Sequence, residues 1–271
     1  MTSDGPARGH EIVRTRRGAL AMRSLVAGEV MHPGVGPVVE AEELYVRQSR
    51  LAERLSAGPL VVHDVGLGAG SNAFAAWAAA RGAAGAARLT LISFERDLEA
   101  LALALDHAAD FALDAPAVEA GRALLATGAH ESARTSWRLL TGDLLEALRR
   151  PLPAADIIFW DPFSPRANPA LWTVAAFSAA RRHAGERCTL FTYSASTATR
   201  VALLLAGWAV GAGASIGDKS STTAAATDLA DLAAPLDRSW LRRLALPGVP
   251  LPSDAPASFA AAIADLPQFS S

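Results

Sequence analysis

The stretch that decides the fold is DVGLGAGSN, residues 64–72, which follows a short apolar run. Its glycines Gly66, Gly68 and Gly70 are each separated by one residue, and Asp64 precedes them. A strand that ends in such a turn lets the backbone approach a ligand closely, and the helix that follows offers its N-terminus to polar or anionic groups. The stretch therefore predicts a nucleotide-like ligand at the end of a first strand.

Short apolar runs alternate with longer helical stretches from residue 58 onward, which is typical of parallel strands joined by crossover helices. Strands are predicted at 60–65, 89–94, 137–140, 156–160, 188–192, 208–213 and 222–227. Helices are predicted at 72–81, 98–110, 117–125, 143–149, 169–183 and 197–206. The pattern predicts an α/β, doubly wound, Rossmann-like fold with a seven-stranded, mostly parallel sheet and an antiparallel last strand.

The chain divides into three predicted parts. Residues 1–57 form an N-terminal extension with a hairpin and a helix, and residues 58–248 form the main domain. Residues 249–271 are rich in Ala, Pro and Ser, so we expect an irregular tail there.

The composition is that of an ordinary soluble protein, with 51% apolar residues, 19% charged residues and a net charge of −2. We expect a cytoplasmic protein without a membrane partner, because no long apolar stretch and no signal peptide stand out. Cys188 is the single cysteine, and the six histidines lack ligand spacing, so no metal is expected.

Two cofactors compete for the glycine turn. A dinucleotide turn reads G-x-G-x-x-G, and counted from Gly68 its third position falls on Ala73, which that motif tolerates. A methyltransferase turn reads acid-x-G-x-G-x-G, and Asp64 would suit the amino group of S-adenosylmethionine. Spacing disfavours the dinucleotide without excluding it.

Acids also follow the next two predicted strands. Glu95 is placed to accept both ribose hydroxyls of a nucleoside, a role that fits either cofactor. Asp143 is placed to contact the adenine amino group. The alternatives are a surface Glu95 and an Asp143 that caps the helix beginning at Leu144.

The loop DPFSPRANP, residues 161–169, follows the fourth predicted strand. Because ligands lie outside the carboxyl ends of such strands, Asp161 should face the reactive end of the cofactor, where a carboxylate can orient an amine lone pair and accept its proton. Phe163 is predicted to stack on a base. In the alternative, Asp161 caps Ser164 and Phe163 fills the core.

Arginines near the N-terminus form a local basic segment that could meet phosphates. Arg14, Arg16 and Arg17 are the candidates, together with Arg166 in the 161–169 loop. A solvated tail is the alternative for the N-terminal arginines.

Four segments resemble the methyltransferase domain of the MnmC family, which completes 5-methylaminomethyl-2-thiouridine at the wobble position of certain tRNAs. They are GLGAGSNAFAAW at 66–77, LISFER at 91–96, TGD at 141–143 and DPFSPRANPALWT at 161–173. MHPGVGPVVEAEELYVRQSRL, at 31–51, is similar to the upstream segment of stand-alone members. The resemblance covers roughly residues 10–230 and implies a class I S-adenosylmethionine-dependent methyltransferase fold.

The family's reaction would be methyl transfer to the aminomethyl nitrogen on C5 of the wobble uridine. The resemblance implies that Asp161 lies nearest the amine and that Asn72 joins the glycines, Glu95 and Asp143 in holding the cofactor. The family's fused flavin-dependent oxidase domain is not expected in the residues after 230, so a separate tRNA-modifying enzyme would supply the aminomethyl group. The family's basic run near the last hairpin is reduced here to Gly-Asp-Lys at 217–219.

Several functions remain open on the sequence. The first is a tRNA methyltransferase, for which a basic surface beside Asp161 is expected. Others are a methyltransferase of a small metabolite amine and a relative that binds S-adenosylmethionine without catalysis. A nicotinamide-dependent oxidoreductase is disfavoured, because no Tyr-x-x-x-Lys pair follows a strand.

Overall fold

The computed structural model describes residues 9–15, 17–83, 85, 87–216 and 221–270. An N-terminal sheet of three antiparallel strands precedes one central sheet of eight strands. The N-terminal strands are β1 (His10–Arg14), β2 (Leu20–Ser24) and β3 (Glu29–Val30). The central strands are β4 (Leu60–Val65), β5 (Leu89–Glu95), β6 (Ala129–Glu131), β7 (Thr135–Thr141), β8 (Ala155–Trp160), β9 (Ala184–Thr192), β10 (Ala209–Gly213) and β11 (Thr222–Ala226).

The central sheet has the order β10-β11-β9-β8-β4-β5-β7-β6. Strands β4, β5, β7, β8 and β9 are parallel, whereas β11 runs antiparallel between β9 and β10. The predicted fold class is confirmed, but the count of seven strands is short by one. The additional strand, β6, pairs antiparallel with β7 at the edge, and its three residues Ala-His-Glu carry no apolar period that could have predicted it.

Helices cover the two faces of the central sheet. They are α1 (Pro37–Ala41), α2 (Leu51–Ala57), α3 (Ser71–Gly82), α4 (Glu99–Asp106), α5 (Ala115–Thr127), α6 (Leu144–Ala147), α7 (Val174–Arg182), α8 (Thr197–Leu205) and α9 (Phe259–Ala264). A π-helical segment, Glu42–Arg47, continues from α1. No helix among the described residues is long and apolar enough to cross a bilayer.

The helix predicted at 169–183 is in fact two elements. Pro169–Trp172 makes a single 3-10 turn, and α7 begins after Thr173, whose hydroxyl accepts the N–H of Ala176 at 3.1 Å. Asn168 makes no side-chain cap. Because the hydroxyl of Thr173 satisfies a free N–H group at the start of α7, this helix can begin at a new direction after the 3-10 turn.

The N-terminal sheet packs beside α4, next to the glycine turn. His10 Nδ1 lies 3.0 Å from Glu99 Oε2, and the N–H of Gly9 donates to the same oxygen at 2.8 Å. Beyond β3 the chain passes over Gly68, where a Cβ atom would stand 3.0 Å from the sulfur of Met31. The N-terminal extension therefore covers part of the turn that opens the first crossover.

Large aromatic side chains fill the core on both faces of the central sheet. On one face Trp160 packs on Phe177 with ring centroids 4.8 Å apart, and on the other Phe74 meets Trp137 edge to face at 5.1 Å. Each such side chain contributes about 2–3 kcal/mol by burial. These contacts fix the strands whose carboxyl ends form the site.

The C-terminal tail is more ordered than predicted. Phe269 is fully buried and stacks on Trp240 at 6.4 Å, and α9 buries Ile263. The side chain of Gln268 bonds both the N–H and the carbonyl of Val210, at 2.8 and 2.6 Å. The tail thus covers the edge strand β10, which explains why Ala- and Pro-rich sequence folds here.

Candidate active site

A cleft of about 520 Å³ opens where β4 and β8 end. The two strands are parallel neighbours, and the sheet continues from β4 to β5 on one side and from β8 to β9 on the other. Ligands of open α/β sheets bind at such a switch point. The glycine turn after β4 and residues 161–164 after β8 both line the cleft, so the structure brings the two predicted loops together.

The glycine turn leaves no room for side chains at two positions. A Cβ atom at Gly66 would lie 2.7 Å from the carbonyl oxygen of Asp161, and the φ angle of Gly66 is +86°. At Gly70, with the same φ, a Cβ atom would meet the ring of Phe74 at 2.7 Å. Glycine is therefore required for the backbone to pass this close to the loop after β8.

Glu95 closes over this turn. Its Oε2 accepts the N–H of Gly68 at 2.8 Å, and its Oε1 accepts the N–H groups of Arg96 and Asp97 at 2.6 and 3.2 Å. A carboxylate has about four acceptor positions, so one remains on Oε2 for a ligand hydroxyl. The bidentate contact with a ribose stays a prediction, since its second bond competes with Arg96 or Asp97.

Asp64 lies behind the cleft wall and is fully buried. Trp137 Nε1 donates to Ser93 Oγ at 3.0 Å, so the Ser93 hydroxyl donates in turn to Asp64 Oδ2 at 2.8 Å. Burial raises the pKa of Asp64 to about 7, and the Ser93 hydrogen bond opposes that shift. Asp64 therefore exchanges its proton near neutral pH.

Asp143 sits at the start of α6 rather than in the cleft wall. Its Oδ1 accepts the N–H groups of Leu145 and Glu146 at 2.8 and 3.2 Å, and its Oδ2 pairs with Arg96 at 2.9 Å. Its neighbours Gly142 and Leu144 line the cleft instead. The capping role, the alternative to an adenine contact, is thus present in the structure.

Asp161 is held in place from two sides. Its N–H donates to the carbonyl of Val65 at 2.9 Å, and its Oδ2 accepts a 2.6 Å hydrogen bond from Asn72 Nδ2. Burial raises the pKa of Asp161, while His32 and the Asn72 hydrogen bond act in the opposite direction. The alternative in which Asp161 caps Ser164 is wrong, because the N–H of Ser164 donates to Glu29.

Phe163 lines the cleft and is half-buried, so it does not fill the core. Its carbonyl accepts a 2.8 Å hydrogen bond from Trp172 Nε1, which fixes the loop from below. Trp172 also meets Tyr193 edge to face at 5.6 Å. The ring of Phe163 is thereby presented to the cleft on an anchored backbone.

The N-terminal extension supplies site residues that the sequence reasoning missed. Glu29, Met31, His32 and Glu40 all line the cleft, and the buried Tyr45 lies beside Asp161. The sequence marks the segment at 31–51 only by its family resemblance, and its residue spacing gives no signal that His32 or Glu40 faces the cleft.

The predicted phosphate-binding arginines do not gather at the cleft wall. Arg166 is 76% exposed and pairs with Glu29 at 3.1 Å, and Arg14 donates to the carbonyl of Gly18 at 2.6 Å. Arg17 is exposed, and Arg16 lies outside the described residues. Glu29 therefore offsets the positive charge of Arg166, the candidate arginine closest in sequence to Asp161.

The acids that line the cleft and two buried polar groups that do not line it together fit S-adenosylmethionine. Asp64 Oδ1 and Asn72 Oδ1 are buried and lack a partner within the described part of the chain, which is unusual for buried polar atoms. Four acids, Glu29, Glu40, Glu95 and Asp161, line the cleft and suit a cationic ligand.

One acidic cluster lies outside the cleft wall. The ligand atoms of His10, Asp97 and Glu99 lie within 4.8 Å of one another, a grouping that the sequence spacing did not predict. Glu99 already accepts from Gly9 and His10, so the cluster ties β1 to α4.

Comparison with known proteins defines the class. Residues 120–228 match a family described as S-adenosyl-L-methionine-dependent methyltransferase. The crystal structure of MnmC2 from Aquifex aeolicus superposes with a TM-score of 0.72 at 27% identity, covering 94% of this chain and 83% of that one. The fold and the site therefore define an S-adenosylmethionine-dependent methyltransferase of the doubly wound type.

Within that class the chain is similar to MnmC proteins. It is 30% identical over 226 residues to the tRNA 5-methylaminomethyl-2-thiouridine biosynthesis bifunctional protein MnmC of Methylibium petroleiphilum, covering 79% of this chain and 34% of that protein. For the Burkholderia thailandensis protein of the same name, identity is 30% over 194 residues, with 67% and 30% covered. The chain thus spans about a third of the length of these relatives.

Proposed function

We propose that the protein transfers a methyl group from S-adenosylmethionine to the aminomethyl nitrogen at C5 of the wobble uridine in tRNA. The observation that carries this proposal is the Asp161 carboxylate, which lines an acidic cleft directly beside the glycine turn. An acidic cleft favours a cationic acceptor such as an aminomethyl group. The similar MnmC proteins are named for 5-methylaminomethyl-2-thiouridine biosynthesis, which supports the same acceptor.

When bound, S-adenosylmethionine supplies the methyl group as an activated sulfonium. Asp161 binds the cationic acceptor nitrogen and takes one proton from it, which frees a lone pair that points away from the carboxylate. Asn72 Nδ2 and His32 Nε2 both lie beside Oδ2 of Asp161, at 2.6 and 3.6 Å, which leaves Oδ1 as the oxygen for the amine. Gly66, Gly68 and Glu95 hold the cofactor at the end of β4.

The tRNA contacts follow from the rim of the cleft. Phe163 stacks on a base, and Arg14, Arg17 and Arg166 meet phosphates, which requires Arg166 to exchange Glu29 for the tRNA backbone. The protein works in the cytoplasm on tRNA, after a separate enzyme has made the aminomethyl group.

One observation favours a smaller acceptor. Because Glu29 pairs with Arg166, the rim next to Asp161 carries less positive charge than the tRNA hypothesis predicts. A small metabolite amine would then enter the same acidic cleft.

An acceptor panel separates these functions. The protein is incubated with methyl-labelled S-adenosylmethionine and, in parallel, tRNA carrying 5-aminomethyluridine, the same tRNA lacking the aminomethyl group, and a set of small primary amines. The proposal expects label in the first tRNA alone. Label in a small amine and none in tRNA would establish the second function, and cofactor binding without label in any acceptor would indicate a non-catalytic relative.

A further inference from the structure

His32 lies between two carboxylates at the cleft. Its Nε2 is 3.6 Å from Asp161 Oδ2, and its Nδ1 is 3.8 Å from Glu40 Oε1. The three side chains are 11%, 10% and 4% exposed, in the order His32, Asp161, Glu40. Each ring nitrogen of His32 therefore faces a different, largely buried acid.

The backbone of His32 is in the left-handed region, with φ at +53°. Such a conformation is strained for a non-glycine residue and persists where surrounding contacts impose it. Glycine would adopt it without strain. The strained backbone indicates that surrounding contacts hold the imidazole of His32 at this position.

Two largely buried carboxylates, one within 4 Å of each ring nitrogen, favour the cationic imidazole by Coulomb attraction. An imidazolium beside Asp161 stabilises the ionised carboxylate, in opposition to burial. A fully protonated ring has no lone pair, so it cannot itself take a proton from the acceptor.

We propose that His32 is a positioning residue whose imidazolium, anchored by Glu40, keeps the Asp161 carboxylate ionised and ready to receive the proton of the acceptor amine. The inference rests on the proposed function only for the identity of that amine. The charge state of Asp161 is a property of the protein without an acceptor.

Other titratable groups also face Asp161. They are Glu40 on α1, Tyr45 in the π-helical segment, Asp64 on β4 and Tyr193 after β9. All of these are acids or phenols, so none supplies the positive charge that His32 does.

The direct test observes Asp161 by carbon-13 NMR in protein labelled at the aspartate carboxyls, with Asp161→Asn to assign the signal. His32→Asn is the main variant, because asparagine tolerates a left-handed backbone. Loss of the cation should raise the titration midpoint of Asp161 by at least about one pH unit. Adding Glu40→Gln to that variant removes a nearby negative charge and should bring the midpoint back down. An unchanged midpoint in His32→Asn would overturn the proposal.

The matched control is His10→Asn. His10 is also a buried histidine of the N-terminal extension, paired at 3.0 Å with Glu99 but absent from the cleft wall. Its replacement should leave the Asp161 midpoint where it is in the unaltered protein. An equal shift in both variants would show a general effect of the extension and would also overturn the proposal.

The activity test records methyl transfer against pH. The acidic limb of the profile should move up in His32→Asn by the same amount as the Asp161 midpoint, with unchanged affinity for S-adenosylmethionine. His32→Gly adopts the φ of +53° without strain and should be slower, with partial rescue by added imidazole. A slower His32→Gly that imidazole does not rescue would contradict the inference. If tRNA is not the acceptor, the proposed function fails while the NMR measurement still decides the role of His32.

Discussion

Asn72 and Asp161 join the two halves of the site through one short hydrogen bond. Asn72 lies in the first turn of α3, and its Nδ2 donates to Asp161 Oδ2 at 2.6 Å, across the end of the sheet. Asn72 Oδ1 remains buried and without a partner in the residues that the structure describes. One amide thus holds the Asp161 carboxylate and leaves its own oxygen as a buried acceptor.

Replacing Asn72 by alanine should slow methyl transfer by about 10- to 100-fold, since a hydrogen bond to a charged group contributes about 1.5–3 kcal/mol. The carboxylate would lose its orientation, so kcat should fall more than the affinity for S-adenosylmethionine. Steady-state kinetics with cofactor calorimetry measures both quantities. A variant with unaltered kcat would mean that Asn72 does not hold Asp161 during the reaction.

Asp64 should make cofactor affinity depend on pH. With a pKa of about 7 Asp64 is protonated in acid. In the role predicted for it, only the ionised form would attract the amino group of the cofactor. The affinity should therefore weaken about tenfold from pH 8 to pH 6, with uptake of one proton on release of the cofactor. Calorimetry in two buffers counts that proton. In Asp64→Asn the cofactor affinity should change with pH only through titration of the cofactor itself. Parallel profiles of affinity against pH for the two proteins would refute the role assigned to Asp64.

His63 should make the fold sensitive to acid. It is 2% exposed, its Nε2 lies 3.0 Å from the Pro153 carbonyl, and burial lowers its pKa from 6.5 to about 4. Between these values the unfolded chain binds the extra proton. His63 thus contributes stability that is complete above pH 6.5 and is lost as the pH falls to about 4, by up to about 3 kcal/mol.

Urea titrations of the unaltered protein and His63→Gln at pH 7 and pH 4.5 isolate this contribution. From pH 7 to pH 4.5 the unaltered protein should lose more of its free energy of unfolding than His63→Gln does. Asp64 shifts stability in the opposite sense but equally in both proteins, so it cancels. A difference that stays constant with pH would contradict the prediction.

The C-terminal tail should contribute to global stability. Phe269→Ala removes a fully buried ring that stacks on Trp240, so it should lower the free energy of unfolding by about 3–5 kcal/mol. Leu251→Ala serves as the control, because Leu251 is 38% exposed and should cost much less. Equal effects of the two substitutions would indicate that the tail does not belong to the cooperative core.

The sequence predicts the central sheet well because each parallel strand contains a short apolar run. Four of the five parallel strands, β4, β5, β7 and β8, also end at or directly before a glycine or an acid. It predicts less where tertiary contacts decide the structure. Strand β6 and the tail have no period of their own and become ordered only against β7 and β10. The one-turn segment before Thr173 likewise reads as a continuous helix until its cap is seen.

In the candidate site, too, the sequence predicts the residues at strand ends but not those that tertiary contacts bring in. Asp161 and the glycines could be predicted, since each directly follows a strand. His32 and Glu40 could not, because they reach Asp161 through a left-handed backbone and a separate helix. Asp143 shows the reverse case. It lies at the predicted strand end, but its carboxylate caps α6.

The most direct test of the account is methyl transfer from labelled S-adenosylmethionine to tRNA carrying 5-aminomethyluridine, in the unaltered protein and in Asp161→Asn. We expect label in the wobble nucleoside, and transfer at least about 100-fold slower in the variant at saturating cofactor. Transfer by Asp161→Asn at the unaltered rate, or absence of label from the wobble nucleoside with the unaltered protein, would contradict it.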